Sequence, residues 1–347
     1  MKLKSPILIT GHTGFKGAWL GSLLNELGIP FIGFSLAPDK ESLAIEFTEN
    51  YSDYEKIADI RNYRILKKFI NKHSPEAVIH LAAQPLVLDS YTQPLETFEV
   101  NTMGTANLLD ICQNNKNVKA VLVITTDKVY QNSEKSITFK ESDALKGKDP
   151  YSSSKVAAEA VVDGWISVSE NFNGPRIATA RAGNVIGGGD LSSRRLIPDL
   201  IKGIKSNSKV KIRNPESTRP WQHVLDPIFG YLMYLDYMLE NSRYEFTLNF
   251  GPKEESLPVF DVANKFMSKF NANELIEIDS NGNYLLEAKH LNLDSKLATT
   301  EIDWTPTWTQ NEAINFTADW WLNSNMGNNS KEVTKHQIEQ FLRAVER

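Results

Sequence analysis

Short apolar runs alternate with longer stretches of helical periodicity through the first half of this chain. The runs are Pro6–Thr10, Phe31–Ser35, Ala77–Ala83, Val118–Ile124 and Ile177–Ala182. Segments without a polar face predict strands covered on both sides, as in a parallel sheet. Between them, helical spacing covers Ala18–Leu27, Asn62–Lys72, Pro94–Asn114 and a helix opened by Asp149-Pro150 that continues through Val162. This alternation predicts an α/β fold, a Rossmann-type doubly wound parallel sheet. Beyond Asn184 the rhythm changes. Gly187-Gly188-Gly189 forms a loop, Arg194-Arg195-Leu196-Ile197-Pro198 leads into a helix, and Val210–Pro215 is strand-like. Asp226–Leu239 reads as an amphipathic helix, and Leu248–Phe250 and Leu257–Phe270 as a further strand and helix. Two helices close the chain, Gln310–Leu322 and Lys331–Val345.

Three glycines, Gly11, Gly14 and Gly17, fall between the first strand and its helix. A helix N-terminus presents free N–H groups and positive dipole character, which suit a pyrophosphate. Gly11 would make the turn, Gly14 admit the phosphate and Gly17 let helix and strand approach. The second strand ends in Ser35, not in the acid that often holds a ribose, so the residues leave NAD and NADP both open. Asp59-Ile60 could cover an adenine, and Asp59 could equally cap the helix from Asn62. Ala82-Ala83 ends the third run with small residues that let a flat ligand approach. His80 reads as a packed strand-end histidine, and Asn101 as a buried, hydrogen-bonded one.

The richest chemistry follows the fourth run. Thr125-Thr126-Asp127-Lys128 turns polar at the strand's end, and Tyr151 and Lys155 stand four apart on the next helix. A phenol beside an ammonium is favoured as its phenolate, which suits it to take an alcohol proton. Arg194, Arg195, Arg213 and Arg219 could clamp a diphosphate.

Composition narrows the setting. The 347 residues carry a net charge of −5, which argues against general affinity for nucleic acid. The single cysteine excludes an internal disulfide and fits a reducing cytoplasm. No apolar run approaches membrane-spanning length. The six histidines lack metal-ligand spacing, so no metal is expected.

With these residues assembled, the chain resembles the extended short-chain dehydrogenase/reductase family. The likeness rests on Gly11-x-x-Gly14-x-x-Gly17, His80-Leu81-Ala82-Ala83, Asn101-x-x-Gly104-Thr105 and Tyr151-x-x-x-Lys155. Longer strings resemble that family's CDP-glucose 4,6-dehydratase branch: Thr10–Gly17, Ala82–Val87, Thr126-Asp127-Lys128, Asp149–Lys155, Arg181–Asp190, Arg213-Asn214-Pro215 and Arg219–Val224. The resemblance implies an NAD-binding lobe over 1–184, with returning segments near 220–252, and a smaller, discontinuous nucleotide-sugar lobe mainly over 185–347. It implies Thr126, Asp127, Lys128, Tyr151 and Lys155 as catalytic residues. Tyr151 is the base for the C4 hydroxyl, Lys155 lowers its pKa, and Asp127 protonates the departing C6 hydroxyl. For NAD it implies Gly11, Thr13, Gly14, Phe15, Lys16, Gly17, Asp59, Ile60, Leu81, Ala82, Ala83, Thr125, Tyr151 and Lys155. For the nucleotide sugar it implies Gln84, Asn101, Asn184, Arg195, Leu196, Arg213, Arg219 and His223. A homodimer or homotetramer is the expected assembly. Many relatives carry an arginine where this chain has Leu88-Asp89. Two alternatives stand beside the dehydratase: a nucleotide-sugar 4-epimerase, and a dinucleotide-binding sensor without activity.

Overall fold

The structure is a computed structural model that describes residues 3–40, 42–44, 54–133, 137–241, 246–279, 289–324 and 330–346. The sheet at its centre is built from the predicted apolar runs. β1 (Ile7–Thr10), β2 (Phe31–Ser35), β3 (Glu55–Ile57), β4 (Ala77–His80), β5 (Ala120–Ile124) and β6 (Arg176–Ala182) are joined by a late strand, Leu248–Phe250. The order across the sheet is Leu248–Phe250, β6, β5, β4, β1, β2, β3. Every pairing in it is parallel. Along β1, Leu8 enters one hydrophobic core while Ile7 and Ile9 enter the other. Strands covered on both faces need no polar side, which explains their unbroken apolar sequence.

The helices divide between those two faces. α1 (Phe15–Glu26) lies on one, together with α8 (Leu225–Glu240) and the C-terminal helix Ser330–Val345. α2 (Tyr63–His73) covers the other with α5 (Gly104–Gln113) and α6 (Pro150–Phe172). The structure departs from the sequence reading at three places. The single helix expected over Pro94–Asn114 is α4 (Pro94–Phe98), a π-helical turn over Glu99–Met103, and α5. A short helix, α3 (Val87–Thr92), precedes it. α8 is not amphipathic: nearly all of its first two turns are buried against β5, β6 and α1. Asp59 does not cap α2; Asn62 does, accepting from the Ile65 N–H at 3.2 Å.

β1 and β4 are neighbours, yet their following helices lie on opposite faces. In a doubly wound sheet that reversal opens a crevice at the strands' carboxyl ends. The glycine loop leaves β1 there, and Leu81-Ala82-Ala83 leaves β4.

Candidate active site

The glycine loop fits a dinucleotide. Gly11 has φ +77°, and a Cβ on it would lie 2.7 Å from the Ala82 nitrogen. On Gly17 it would lie 2.2 Å from the Gly11 carbonyl oxygen. A Cβ on Gly14 would meet only that same carbonyl, at 3.4 Å, so the loop's outer side is open to a phosphate. Thr13 braces the loop through its hydroxyl, 2.6 Å from Ser35 Oγ and 2.8 Å from the Leu36 carbonyl. Asp59 accepts from the Arg61 side chain at 2.6 Å, and that guanidinium holds its carboxyl below the usual range. This cradle suits NAD, with the Ala82 backbone facing the loop.

The reaction cleft opens alongside. Thr125, Thr126, Asp127 and Lys128 enter it from the end of β5, and Tyr151 from the first turn of α6. That helix is fixed at its start. Asp149 accepts from the Ser152 N–H at 2.8 Å, Ser152 Oγ accepts from the Asp149 N–H at 3.1 Å, and Pro150 occupies the first turn. Ser90 Oγ also accepts the Tyr151 N–H at 3.1 Å, which ties α6 to α3. The Thr126 hydroxyl hydrogen-bonds the Tyr151 phenol and lies 3.1 Å from Asp127 Oδ1. Asp127 is 1% exposed, and its Oδ2, fully buried, has no partner among the described residues. A buried, unsatisfied carboxylate oxygen is costly unless a ligand uses it.

Burial decides the protonation of the neighbours. It pushes the Tyr151 phenol up to about 12, against the Thr126 hydrogen bond and the Arg195 charge. It pushes the Lys155 ammonium down to about 8, against the attraction of Glu159. The Lys155 side chain turns toward the end of β5. Its Nζ reaches back to the Ile124 carbonyl at 3.2 Å. Lys16, expected only at the cofactor, lies in the reaction cleft. Burial, Arg195 and Lys155 together push it down to about 7.

Asn184, Arg195, Leu196, Arg213 and Arg219 line the same cleft. Seven lysines and arginines line the cleft against three aspartates, an inversion of the chain's net negative charge that suits a diphosphate. Arg194 spans the mouth to Asp89 of α3 at 2.9 Å, which gives the departure at Leu88-Asp89 a partner.

Three expected substrate residues lie elsewhere. His223 is fully buried with its ring between Trp19 and Trp308, at 5.4 and 4.8 Å. Asn101 is 1% exposed; it accepts the Gln84 N–H at 2.8 Å and donates to Ser154 Oγ at 2.9 Å. Gln84 turns back on its own loop, accepting from the Leu86 N–H at 2.6 Å. Asn101 and Gln84 thus lock the loop after β4 to α6.

Sequence comparison agrees with this geometry. Residues 7–247 match the model of the NAD dependent epimerase/dehydratase family. A CDP-glucose 4,6-dehydratase of Salmonella typhimurium is 37% identical, over 98% of this chain and 97% of the relative. A dTDP-glucose 4,6-dehydratase of Shigella flexneri is 27% identical over 96% of this chain and 98% of its own. The fold superposes on the crystal structure of dTDP-glucose 4,6-dehydratase from Bacillus anthracis in complex with NAD, with TM-score 0.77 at 20% identity, covering 92% of this chain and 97% of that one. The open glycine cradle, the Tyr151 and Lys155 pair on one helix face and the full-length match lead to one conclusion: the chain belongs to the NAD dependent epimerase/dehydratase family.

Proposed function

We propose that this chain is a hydro-lyase that uses NAD to dehydrate a nucleotide-glucose, CDP-glucose in particular, to the 4-keto-6-deoxy sugar nucleotide. Asp127 carries the reading. A 4-epimerase shares Tyr151 and Lys155 but has no leaving group to protonate, so it has no use for a buried carboxylate oxygen aimed at the same hydroxyl site.

Each residue's part follows from its position. Arg195, Arg213, Arg219 and Asn184 hold the diphosphate and aim the sugar at the end of β5. Thr126 and Tyr151 take the C4 hydroxyl, and Tyr151, once ionised to its phenolate, accepts the hydroxyl proton. Bound NAD supplies a hydride acceptor at C4 and a hydride donor at C6. Asp127 gives a proton to the C6 oxygen as water leaves. Lys128, beside it in the cleft, acts on the C5 side as base or as the charge that supports the enolate. The cradle residues Gly11 to Gly17 hold the NAD pyrophosphate, and Lys155 the nicotinamide side.

Assembly is part of the reading. Ala160, Gly164, Val168 and Phe172 on α6, with Leu95, Phe98 and Met103 on the adjoining helices, are exposed. A homodimer through these helices would cover them.

The test is a turnover screen with CDP-, dTDP-, UDP- and GDP-glucose, read by product mass. Loss of one water from CDP-glucose is expected. An isomer of unchanged mass would make the chain an epimerase, and no turnover of any would leave a sensor.

A further inference from the structure

Behind the cleft lies a buried ion pair that none of the reaction steps uses. Glu159 and Arg181 are each 3% exposed. Glu159 stands one turn beyond Lys155 on the inner face of α6, and Arg181 near the end of β6. The guanidinium Nε donates to both carboxylate oxygens, at 2.9 and 3.1 Å, and Nη2 adds a third contact. So well-matched a pair is still expensive to bury, and a same-sized apolar pair would cost less. Its other contacts indicate what it does.

Glu159 Oε1 accepts the Thr125 hydroxyl at 2.6 Å. Arg181 Nη1 donates to the Tyr130 hydroxyl at 2.8 Å, and that hydroxyl donates to Asn249 Oδ1 at 2.7 Å. The guanidinium also lies 4.8 Å over the Tyr130 ring, which stacks on Phe139 at 4.9 Å. Thr125 and Tyr130 are the residues on either side of the turn Asp127–Val129 and its cap, Thr126. One ion pair therefore grips both ends of the segment that carries the reaction acid. Within the turn the backbone hydrogen bonds are long, 3.4 and 3.5 Å, and Asp127 Oδ2 has no partner among the described residues, while beside it the Val129 carbonyl accepts the Lys146 N–H at 2.8 Å and the Val129 side chain is buried.

We propose that Glu159 and Arg181 are positioning residues, which hold the Thr126–Lys128 turn at both ends so that the Asp127 carboxyl keeps its place beside Thr126 and Tyr151. This rests on the dehydratase reading for its consequence but not for its geometry. Oxidation at C4 depends on Tyr151 and Thr126, whereas elimination depends on Asp127. Loosening the turn at its Tyr130 end should therefore harm elimination more than oxidation.

The test uses Tyr130→Phe, which removes the hydroxyl between Arg181 and Asn249 and keeps the ring. A second variant, Thr125→Val, loosens the other end, and Thr125→Ser restores the hydroxyl. None of them breaks the ion pair. In the NAD-loaded protein, amide hydrogen exchange across residues 125–130 should quicken about tenfold in both loosening variants and return in Thr125→Ser, with β5 unchanged. With CDP-glucose, Tyr130→Phe should accumulate reduced cofactor on the enzyme while water loss slows about tenfold and KM holds. Unchanged exchange in both variants overturns the proposal, whatever the activity. So does a Tyr130→Phe enzyme in which oxidation and elimination fall together. A wild-type protein that removes water from no nucleotide-glucose defeats the dehydratase reading alone, and the exchange measurement still decides this one.

Discussion

Replacing Lys155 with methionine should make the protein more stable and less active. Burial moves the Lys155 ammonium from the ordinary 10.5 down to about 8. At roughly 1.4 kcal/mol per pH unit, that gap is a cost of ~3 kcal/mol, carried by the folded state wherever both states are protonated. Methionine has similar bulk and no charge. It forfeits the hydrogen bond to the Ile124 carbonyl, worth ~1 kcal/mol. Glu159 stays satisfied by Arg181 and Thr125. A net gain of ~2 kcal/mol is expected near neutral pH. The pH dependence identifies its origin. Between about pH 8 and 10.5 the unfolded wild-type chain holds a proton that the folded chain has released, so wild-type stability rises with pH there. The advantage of Lys155→Met should accordingly shrink over that window and above it give way to a deficit of ~1 kcal/mol, the lost hydrogen bond alone. Urea denaturation of both proteins at a series of pH values measures it, and taking the difference cancels groups common to the two. Turnover should fall by on the order of 10²-fold or more. A variant that is less stable at neutral pH, or an advantage that stays constant with pH, would refute the reasoning.

Other outcomes follow from the same geometry. Asp127→Asn should keep C4 oxidation and lose elimination by ~10²–10⁴-fold, seen as reduced cofactor held on the enzyme without water loss. Gly17→Ala places a Cβ 2.2 Å from the Gly11 carbonyl, so the cradle must shift; NAD affinity should drop at least about tenfold by titration calorimetry. Arg219→Ala should raise KM for the sugar nucleotide much more than it lowers kcat. Light scattering at micromolar concentration should give a dimer or larger, and Leu95→Glu with Phe172→Glu should shift it toward monomer.

The sheet was legible because its strands are buried on both faces, an environment that favours apolar runs. β3 was not, since Glu55-Lys56-Ile57 lies at the sheet's edge, where one side is free to be polar. The break in the helix after Pro94 was hidden because a π turn needs no glycine or proline; Asn101 sits within it and bonds backwards to Gln84. Among site residues, short-range spacing carried Tyr151, Lys155 and the glycine loop, since helix and loop geometry follow directly from sequence distance. His223 misled because an aromatic, basic cluster at Arg219–Val224 looks like a binding surface, whereas the chain folds the histidine inward between two tryptophans. Glu159 was within reach: it continues the Tyr151 and Lys155 face by one further turn. Its partner Arg181, and Tyr130 on the far side of that guanidinium, come from distant segments, which no spacing predicts.

The central claim is that hydride leaves sugar C4 and returns to the same molecule at C6 while water is lost. CDP-glucose carrying deuterium at C4 tests it directly, by mass spectrometry and NMR of the product. The account predicts a product lighter by one water, with the deuterium at C6 and no net NADH in solution. Deuterium released as free NADH, or retained at C4 in a product of unchanged mass, would contradict it.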